Sequence, residues 1–344
     1  MATLPLVLHI SNERAPMSHA CGFLDAFGRL ADQGLLRHTW TIPAVDPADV
    51  GRITRTPVCL LRPDLVFVQT PQHYAWRRKE VGTLLRSLGS PRVVVWEGGA
   101  WGGLRRLQAS SAMWLRHADV VYSVAMGPQE RLLHRRGARR VRYVPHVAPL
   151  RFVQAADDVP VPRGLVLMGT RPTHGGIELV CDDRERRVLA RELARLCPKA
   201  LTVYGRGWFG PHARGPLPYD GQLNAIQGAL VTAGWNRHRS HPGFYSDQLP
   251  IALCAGRVHI SSRQPGLEWL PGADHGLHLA DTPREAAALA RDLLRADPAD
   301  LRARAARGRA WARAHLTETH ALRHMLAPFV PGVEAPSGPW ADFG

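Results

Sequence analysis

The sequence predicts an α/β protein of two doubly wound domains. Three observations lead there. Strand-length apolar runs alternate with amphipathic helical stretches, the alternation breaks once over 147–163 and then restarts, and glycine-bearing loops follow the apolar runs. Strand-helix alternation of this kind needs a parallel sheet with helices on both faces. The chain's 344 residues suffice for two such domains, and its 45% hydrophobic content fills two cores. No tandem repeat of about 20–50 residues is present, which excludes a solenoid.

The first domain is expected over 1–146. Strands are read at Leu4–Ile10, Leu65–Gln69, Arg92–Trp96, Val120–Val124 and Val141–Val144. Helices are read at Cys21–Asp32, Arg77–Leu88 (stopped by Gly89), Leu104–Ala118 and up to Arg136. Residues 147–163, rich in Pro, Ala and Asp, read as the linker. The second domain, 164–300, restarts with strand Gly164–Gly169, helix Arg184–Leu196, strand Ala200–Tyr204, helix Tyr219–Gly228 and strand Ala229–Ala233. After a helix near Pro283–Ala296, the Arg- and Ala-rich stretch Leu301–His315 and then Thr319–Phe329 form C-terminal helices over 301–330. The Pro- and Gly-rich end, 331–344, reads as a mobile tail.

Composition excludes several classes. The five cysteines (Cys21, Cys59, Cys181, Cys197, Cys254) are odd in number and show no C-x-x-C spacing. They read as reduced thiols of a cytoplasmic protein, with neither a disulfide framework nor a zinc site. No apolar run reaches the ~18 residues of a spanning helix, and no basic segment precedes the first strand as in a signal peptide. The formal charge of +15 and a pI near 10.8 point to an anionic partner. Lys79 and Lys199 are the only lysines, so genomic bias explains arginine replacing lysine. It does not explain the basic excess.

The segment Trp235–Gly272 is the richest in signals. A loop of Arg, His and Gly runs into LPIALCAG, with Ser246-Asp247 where an N-cap belongs and Pro250 in the first helical turn. A helix N-terminus behind a basic loop favours an anion, and a diphosphate is the natural one. The order S-D-Q-L-P-I-A-L-C-A-G, a strand, then P-G-L-E resembles the donor region of group-1-like glycosyltransferases, nearest their spore-maturation or spore-coat branch. Residues 119–146, closing on Val-Pro-His, are similar to the end of that family's first domain, and LTVYGRGW (201–208) to a strand of its second. The resemblance covers most of 60–325 in short patches. It implies the GT-B architecture: two facing Rossmann-like domains, with the last helix crossing back onto the first.

In open parallel sheets, ligands sit at the carboxyl ends of strands. That rule and the resemblance select the candidate residues. Glu97, followed by Gly98 and Gly99, is the expected general base, taking the proton of an acceptor hydroxyl. His19 is the second catalytic candidate, beside Glu13 after the first strand. Glu13, Trp96 and Trp101 are expected to bind acceptor. On the donor side the candidates are Gly169, Arg171 and Arg206, with the guanidinium groups pairing the diphosphate. His241, Gly243, Tyr245, Ser246 and Asp247 are expected to form the phosphate loop, and Glu268 to hold the ribose. Each has a plain structural alternative: a cap, a core tryptophan, or one of 42 arginines.

The chain departs from many retaining relatives. It lacks their pair of glutamates across this loop and helix, and Pro250 falls near the second, so a retaining mechanism does not carry over. Asp182-Asp183 is not a D-x-D metal motif and reads as a helix start. His238 and His241 are too close on a loop for zinc. No metal or obligatory cofactor is expected beyond a nucleotide-sugar donor, a UDP-sugar by preference. The acceptor reading inclines to a hydroxymethylated base in DNA, for which arginines would supply phosphate contacts and the base would be extruded. The alternatives are envelope or spore-coat polysaccharide or a small metabolite, and, from another class, a non-catalytic nucleic-acid-binding protein.

Overall fold

A computed structural model of the chain describes residues 3–11, 13, 21–41, 62–71, 74–102, 106–154, 162–171, 173–174, 177–178 and 181–343. The first sheet comprises β1 (Leu6–Ile10), β2 (Arg37–Thr41), β3 (Leu65–Gln69), β4 (Arg92–Glu97), β5 (Val120–Ser123) and β6 (Val141–Tyr143), in the order β2-β1-β3-β4-β5-β6. Every pairing is parallel. Its crossovers include α1 (Phe23–Asp32), α2 (Arg78–Ser87), α3 (Ala109–Leu115) and α4 (Pro128–Arg135). The central strands β1 and β3 are buried along their whole length, as a sheet covered on both faces requires.

A short helix, α5 (Leu150–Gln154), follows the last strand within the stretch expected as linker. The second sheet is then built from β7 (Leu165–Met168), β10 (Leu201–Tyr204), β11 (Val231–Ala233), β12 (Val258–Ser262) and β13 (Leu277–Ala280). It is parallel throughout, in the order β10-β7-β11-β12-β13. A two-stranded antiparallel ribbon, β8 (Thr173–His174) and β9 (Ile177–Glu178), sits beside it. The helices are α6 (Cys181–Leu196), α7 (Tyr219–Gln227), α8 (Gln248–Cys254), α9 (Pro283–Leu293), α10 (Pro298–His315) and α11 (Glu318–Leu326). In both sheets the strand order reverses beside the first strand, between β1 and β3 and between β7 and β11.

Helix α11 returns to the first domain. Glu318 pairs with Arg29 of α1 and accepts from the amide of Leu150 at 2.8 Å, and Arg323 donates to Gln33 at 2.7 Å. The Tyr122 hydroxyl reaches the carbonyl of Met325 at 3.3 Å. One apolar cluster therefore runs from Phe23 and Tyr122 through Leu249 to Leu322 and unites the two halves.

Several expectations change. Strands β2 and β13 were not expected from sequence, and both lie at sheet edges where the apolar alternation is diluted. Of the helix expected over 104–118, the described residues are helical over Ala109–Leu115, and Leu107 ahead of it is buried in the apolar core. The segment expected as a mobile tail is docked on the body. Trp340 is 1% exposed and donates to the carbonyl of His315 at 2.9 Å, while Phe343 meets the Tyr143 ring at 4.7 Å. An aromatic buried to this degree anchors a segment whatever its Pro and Gly content.

Candidate active site

The two reversal points face one another across a cavity of about 240 Å³. From the first domain it is lined by Thr70 after β3, by Trp96 and Gly98–Ala100 at the end of β4, and by His146 beyond β6. From the second it is lined by Gly169 and Thr170 after β7, Arg237 after β11, and Ser246, Asp247 and Gln248 at the start of α8. Arg186, on α6, closes the floor. A second cavity of about 270 Å³ adjoins, sharing Gly169, Thr170, Tyr219 and Gln248 and reaching Arg206. Crevices at topological reversal points are where doubly wound sheets bind ligands.

The electrostatic centre is a cluster the sequence did not reveal. Asp183, fully buried in the first turn of α6, accepts from Arg237 Nε at 2.8 Å and lies 3.9 Å from Arg186 Nη1. Arg186 also donates to the carbonyl of Trp235, through Nε at 3.0 Å and through Nη2, and to Thr170 O through Nη1 at 2.6 Å. Arg237 Nη2 reaches the same Thr170 carbonyl at 3.2 Å. Two guanidinium groups meet on one carboxylate under the β7 and β11 loops, and in a site of low dielectric a guanidinium attracts an anion more strongly than in water.

On the opposite wall, Trp96 stands edge-on to Phe23 at 4.9 Å and to the His146 ring at 6.2 Å. The loop behind it must be glycine. A Cβ on Gly98 would fall 2.7 Å from the Trp96 ring, closer than packing permits. Among the described residues, His146 and Cys21 are the titratable first-domain side chains in the lining. Burial pushes the Cys21 thiol well above its ordinary value, which keeps it protonated and unreactive.

The expected site residues divide. Gly169, Ser246, Asp247 and Trp96 line the cleft, and Arg206 lines the adjoining cavity. The helix behind Ser246 is brief, and its N-cap residue Asp247 makes no side-chain cap bond. Ser246 N instead donates to Asn236 Oδ1 at 2.9 Å. Arg171 sits outside the cleft, in a groove against α6. Glu268 is exposed at a turn, accepting from Gly266 N at 3.3 Å.

His241, Gly243 and Tyr245, expected as the phosphate loop, are spent on joining the domains. His241 Nε2 donates to the carbonyl of Trp101 at 2.8 Å, Tyr143 OH to that of Gly243 at 2.7 Å, and Tyr245 OH to that of His146 at 2.9 Å. Gly243 has φ +76°, and a Cβ there would meet the Tyr143 ring at 2.7 Å.

The first-domain candidates fare similarly. Glu97 is fully buried beneath the loop, and its Oε1 accepts from Gly99 N at 3.0 Å. It is absent from the lining. Glu13 accepts from the amides of Gly22 and Leu24 and so caps α1. Its burial raises its pKa to about 7, against the pull of those two amides. Trp101 is a buried core ring whose backbone amide donates to Gln129 Oε1 at 2.8 Å. His19 lies outside the described residues. Among the described residues no cluster of His, Cys, Asp and Glu is arranged to hold a metal ion, and no helix is long and apolar enough to cross a membrane.

Comparison with known proteins places this geometry. Residues 184–327 match the family model described as glycosyl transferase-like. The chain superposes on the Anabaena protein HepE, solved with UDP and glucose, with a TM-score of 0.62 and 11% identity over 94% of this chain and 99% of that one. It is as similar to an alpha-glucosyltransferase solved with UDP and a 13-mer DNA containing an HMU base (TM-score 0.63, 10% identity, 95% and 99% coverage). The protein has the GT-B fold. A third GT-B neighbour is the sucrose-phosphate synthase of Thermosynechococcus elongatus, with a TM-score of 0.57 and 15% identity over 93% and 97% of the two chains. No curated protein matches the sequence.

His146, Arg186 and Arg237 are lining residues that sequence reasoning missed, with Asp183 buried behind the two arginines. For His146 a signal existed. It stands at the carboxyl end of a parallel strand, where the strand-end rule looks.

Proposed function

We propose that the protein transfers a sugar from a nucleotide-sugar donor, by preference a UDP-sugar, to an acceptor hydroxyl. The observation that carries this reading is the cationic cluster of Arg186 and Arg237 on Asp183, set at the second domain's reversal point and facing His146 across the cleft. The donor diphosphate would lie against Gly169, Thr170 and that cluster. As the bond from the sugar's anomeric carbon to the diphosphate oxygen breaks, charge develops on the leaving group. Fixed guanidinium charge stabilises that state without reorganising. The acceptor oxygen forms the new bond to the anomeric carbon, and its proton passes to the His146 imidazole as general base. The UDP held by HepE and by the alpha-glucosyltransferase supports the choice of donor nucleotide.

For the acceptor, the favoured reading is a hydroxymethylated base in DNA. It is supported by the +15 charge and by the DNA-bound GT-B neighbour. A second reading has its own observation: exposed arginines are spread over α2, α4, α6 and α10, with only Arg186 and Arg237 in the main cleft lining. That spread suits an envelope or spore-coat polysaccharide, or a small metabolite. Thermal-shift screening of nucleotide-sugars, then transfer assays on hydroxymethylated and unmodified DNA, tests both levels. Stabilisation by no nucleotide-sugar sinks the transferase reading. Donor turnover without transfer to the modified base sinks the DNA acceptor.

A further inference from the structure

Helices α2, α3 and α4 cover one face of the first sheet, their inward residues Val81, Leu84, Trp114 and Leu133 sharing an apolar cluster with Val66 and Val93. The outer side of this layer is basic. Arg78 and Arg86 on α2, Arg116 after α3 and Arg139 between α4 and β6 are all exposed. These four guanidinium groups converge on His117. A Cβ on Gly82 of α2 would lie 3.5 Å from Arg86 Nη1 and 3.7 Å from His117 Cε1, so guanidinium and imidazole meet over the same spot. A Cβ on Gly137, where φ is +109°, would fall 2.5 Å from Arg116 Cγ, so the arginine chain lies across a turn that only glycine makes. Desolvation lowers the His117 imidazole below its ordinary value, and Arg78, Arg116, Arg139 and Arg86 lower it further.

Part of this gathering has an ordinary cause. Arg86 lies in the last turn of α2 and Arg116 at the C-cap of α3, where the helix dipole favours a cation. Arg78 opens α2 at the wrong end of its dipole, between Arg77 and Lys79, and Arg139 belongs to no helix. The nearby carboxylates do little to offset them. Glu80 accepts from the amide of Arg77 at 2.6 Å, Asp119 holds Arg92 at 2.9 Å, and Glu130 stands at the opposite end of α4 from Arg139. Arginine bias supplies cations anywhere on the surface. It does not collect them around one imidazole, where like charges repel.

Cations spread over three helices suit phosphates spaced along a backbone. Among the described residues the exposed large apolar side chains are Leu4 and Phe209, and neither lies on this face. The face therefore offers no ring for the base stacking that holds single strands, and no apolar wedge for a lipid surface. Its upper end adjoins the cleft, because α2 follows the loop that carries Thr70 into the lining.

We propose that the outer face of α2, α3 and α4 docks the sugar-phosphate backbone of duplex DNA, with Arg78, Arg86, Arg116 and Arg139 on phosphates. This deepens the DNA-acceptor reading and rests on it.

The test is anisotropy of a fluorescein-labelled duplex oligonucleotide between about 50 and 200 mM salt. The proteins are wild type, R78E/R139E, R78K/R139K and the control R302E/R313E, which makes the same charge change on exposed arginines of α10. R78E/R139E should lose about tenfold or more in affinity, with the salt slope reduced by about two. The lysine variant should stay within a few-fold of wild type, and so should the control. Equal losses in R78E/R139E and the control overturn the docking face, as does a wild type that binds no duplex or binding that R78E/R139E leaves untouched. Binding of phosphatidylserine vesicles in place of duplex also overturns it. Duplex binding that R78E/R139E alone loses, without sugar transfer to hydroxymethylated DNA, supports the face and counts against DNA as the acceptor.

Discussion

The Tyr245 hydroxyl donates to the carbonyl of His146 at 2.9 Å, so the residue that opens the Ser246–Gln248 edge fixes the backbone of the residue facing that edge. Tyr245 is buried and its phenol is pushed well above the ordinary value by burial, which keeps it a donor at any working pH. The bond makes cleft geometry a joint property of the two domains.

Tyr245→Phe should therefore cost about 1 kcal/mol of stability and lower turnover several-fold, leaving UDP affinity unchanged. Thermal denaturation, calorimetric titration and steady-state kinetics separate the three effects. A variant with weakened UDP binding and normal turnover would return Tyr245 to the donor site.

His146→Ala should reduce turnover by about 10²–10⁴-fold, the usual contribution of a general base, while UDP still binds. Glu97→Gln should keep turnover within a few-fold of wild type, since an amide oxygen can still accept from Gly99 N beneath the loop. The reverse pattern, with Glu97→Gln inactive and His146→Ala active, would make Glu97 the base.

Stability should fall in mild acid. Burial holds His9 and His259 down to about 3 and His38 down to about 4, all from 6.5. Between those values and 6.5 the unfolded chain binds more protons than the folded one, so stability rises with pH there. Glu13, raised to about 7 from 4.5, acts in the opposite direction between 4.5 and 7. Three histidines outweigh one carboxyl. The melting temperature should climb from pH 4 to pH 6.5, and more steeply in Glu13→Gln. A flat profile over that range would contradict the buried neutral state of these rings.

The two domains and most elements were legible because buried parallel strands such as Leu65–Gln69 read as continuous apolar runs. Edge strands such as Arg37–Thr41 were not, since half-exposed residues break that run. The strand-end rule selects Gly169, Trp96 and Ser246, which line the cleft. It does not say which side of a loop faces the ligand, and His241, Gly243 and Tyr245, expected at the phosphate, bond to first-domain groups. The Asp183 and Arg237 pair was illegible for another reason. Its members are 54 residues apart and meet only once β7 and β11 lie side by side.

That pair is where the donor diphosphate should be felt, and calorimetric titration of Arg237→Ala with UDP and with uridine measures it directly. Loss of a charged hydrogen bond to phosphate should weaken UDP by about 1.5–3 kcal/mol, roughly 10- to 150-fold. Uridine, which lacks the diphosphate, should bind as it does to wild type. Unchanged UDP affinity, or an equal loss for UDP and uridine, would contradict a diphosphate site at Arg186 and Arg237.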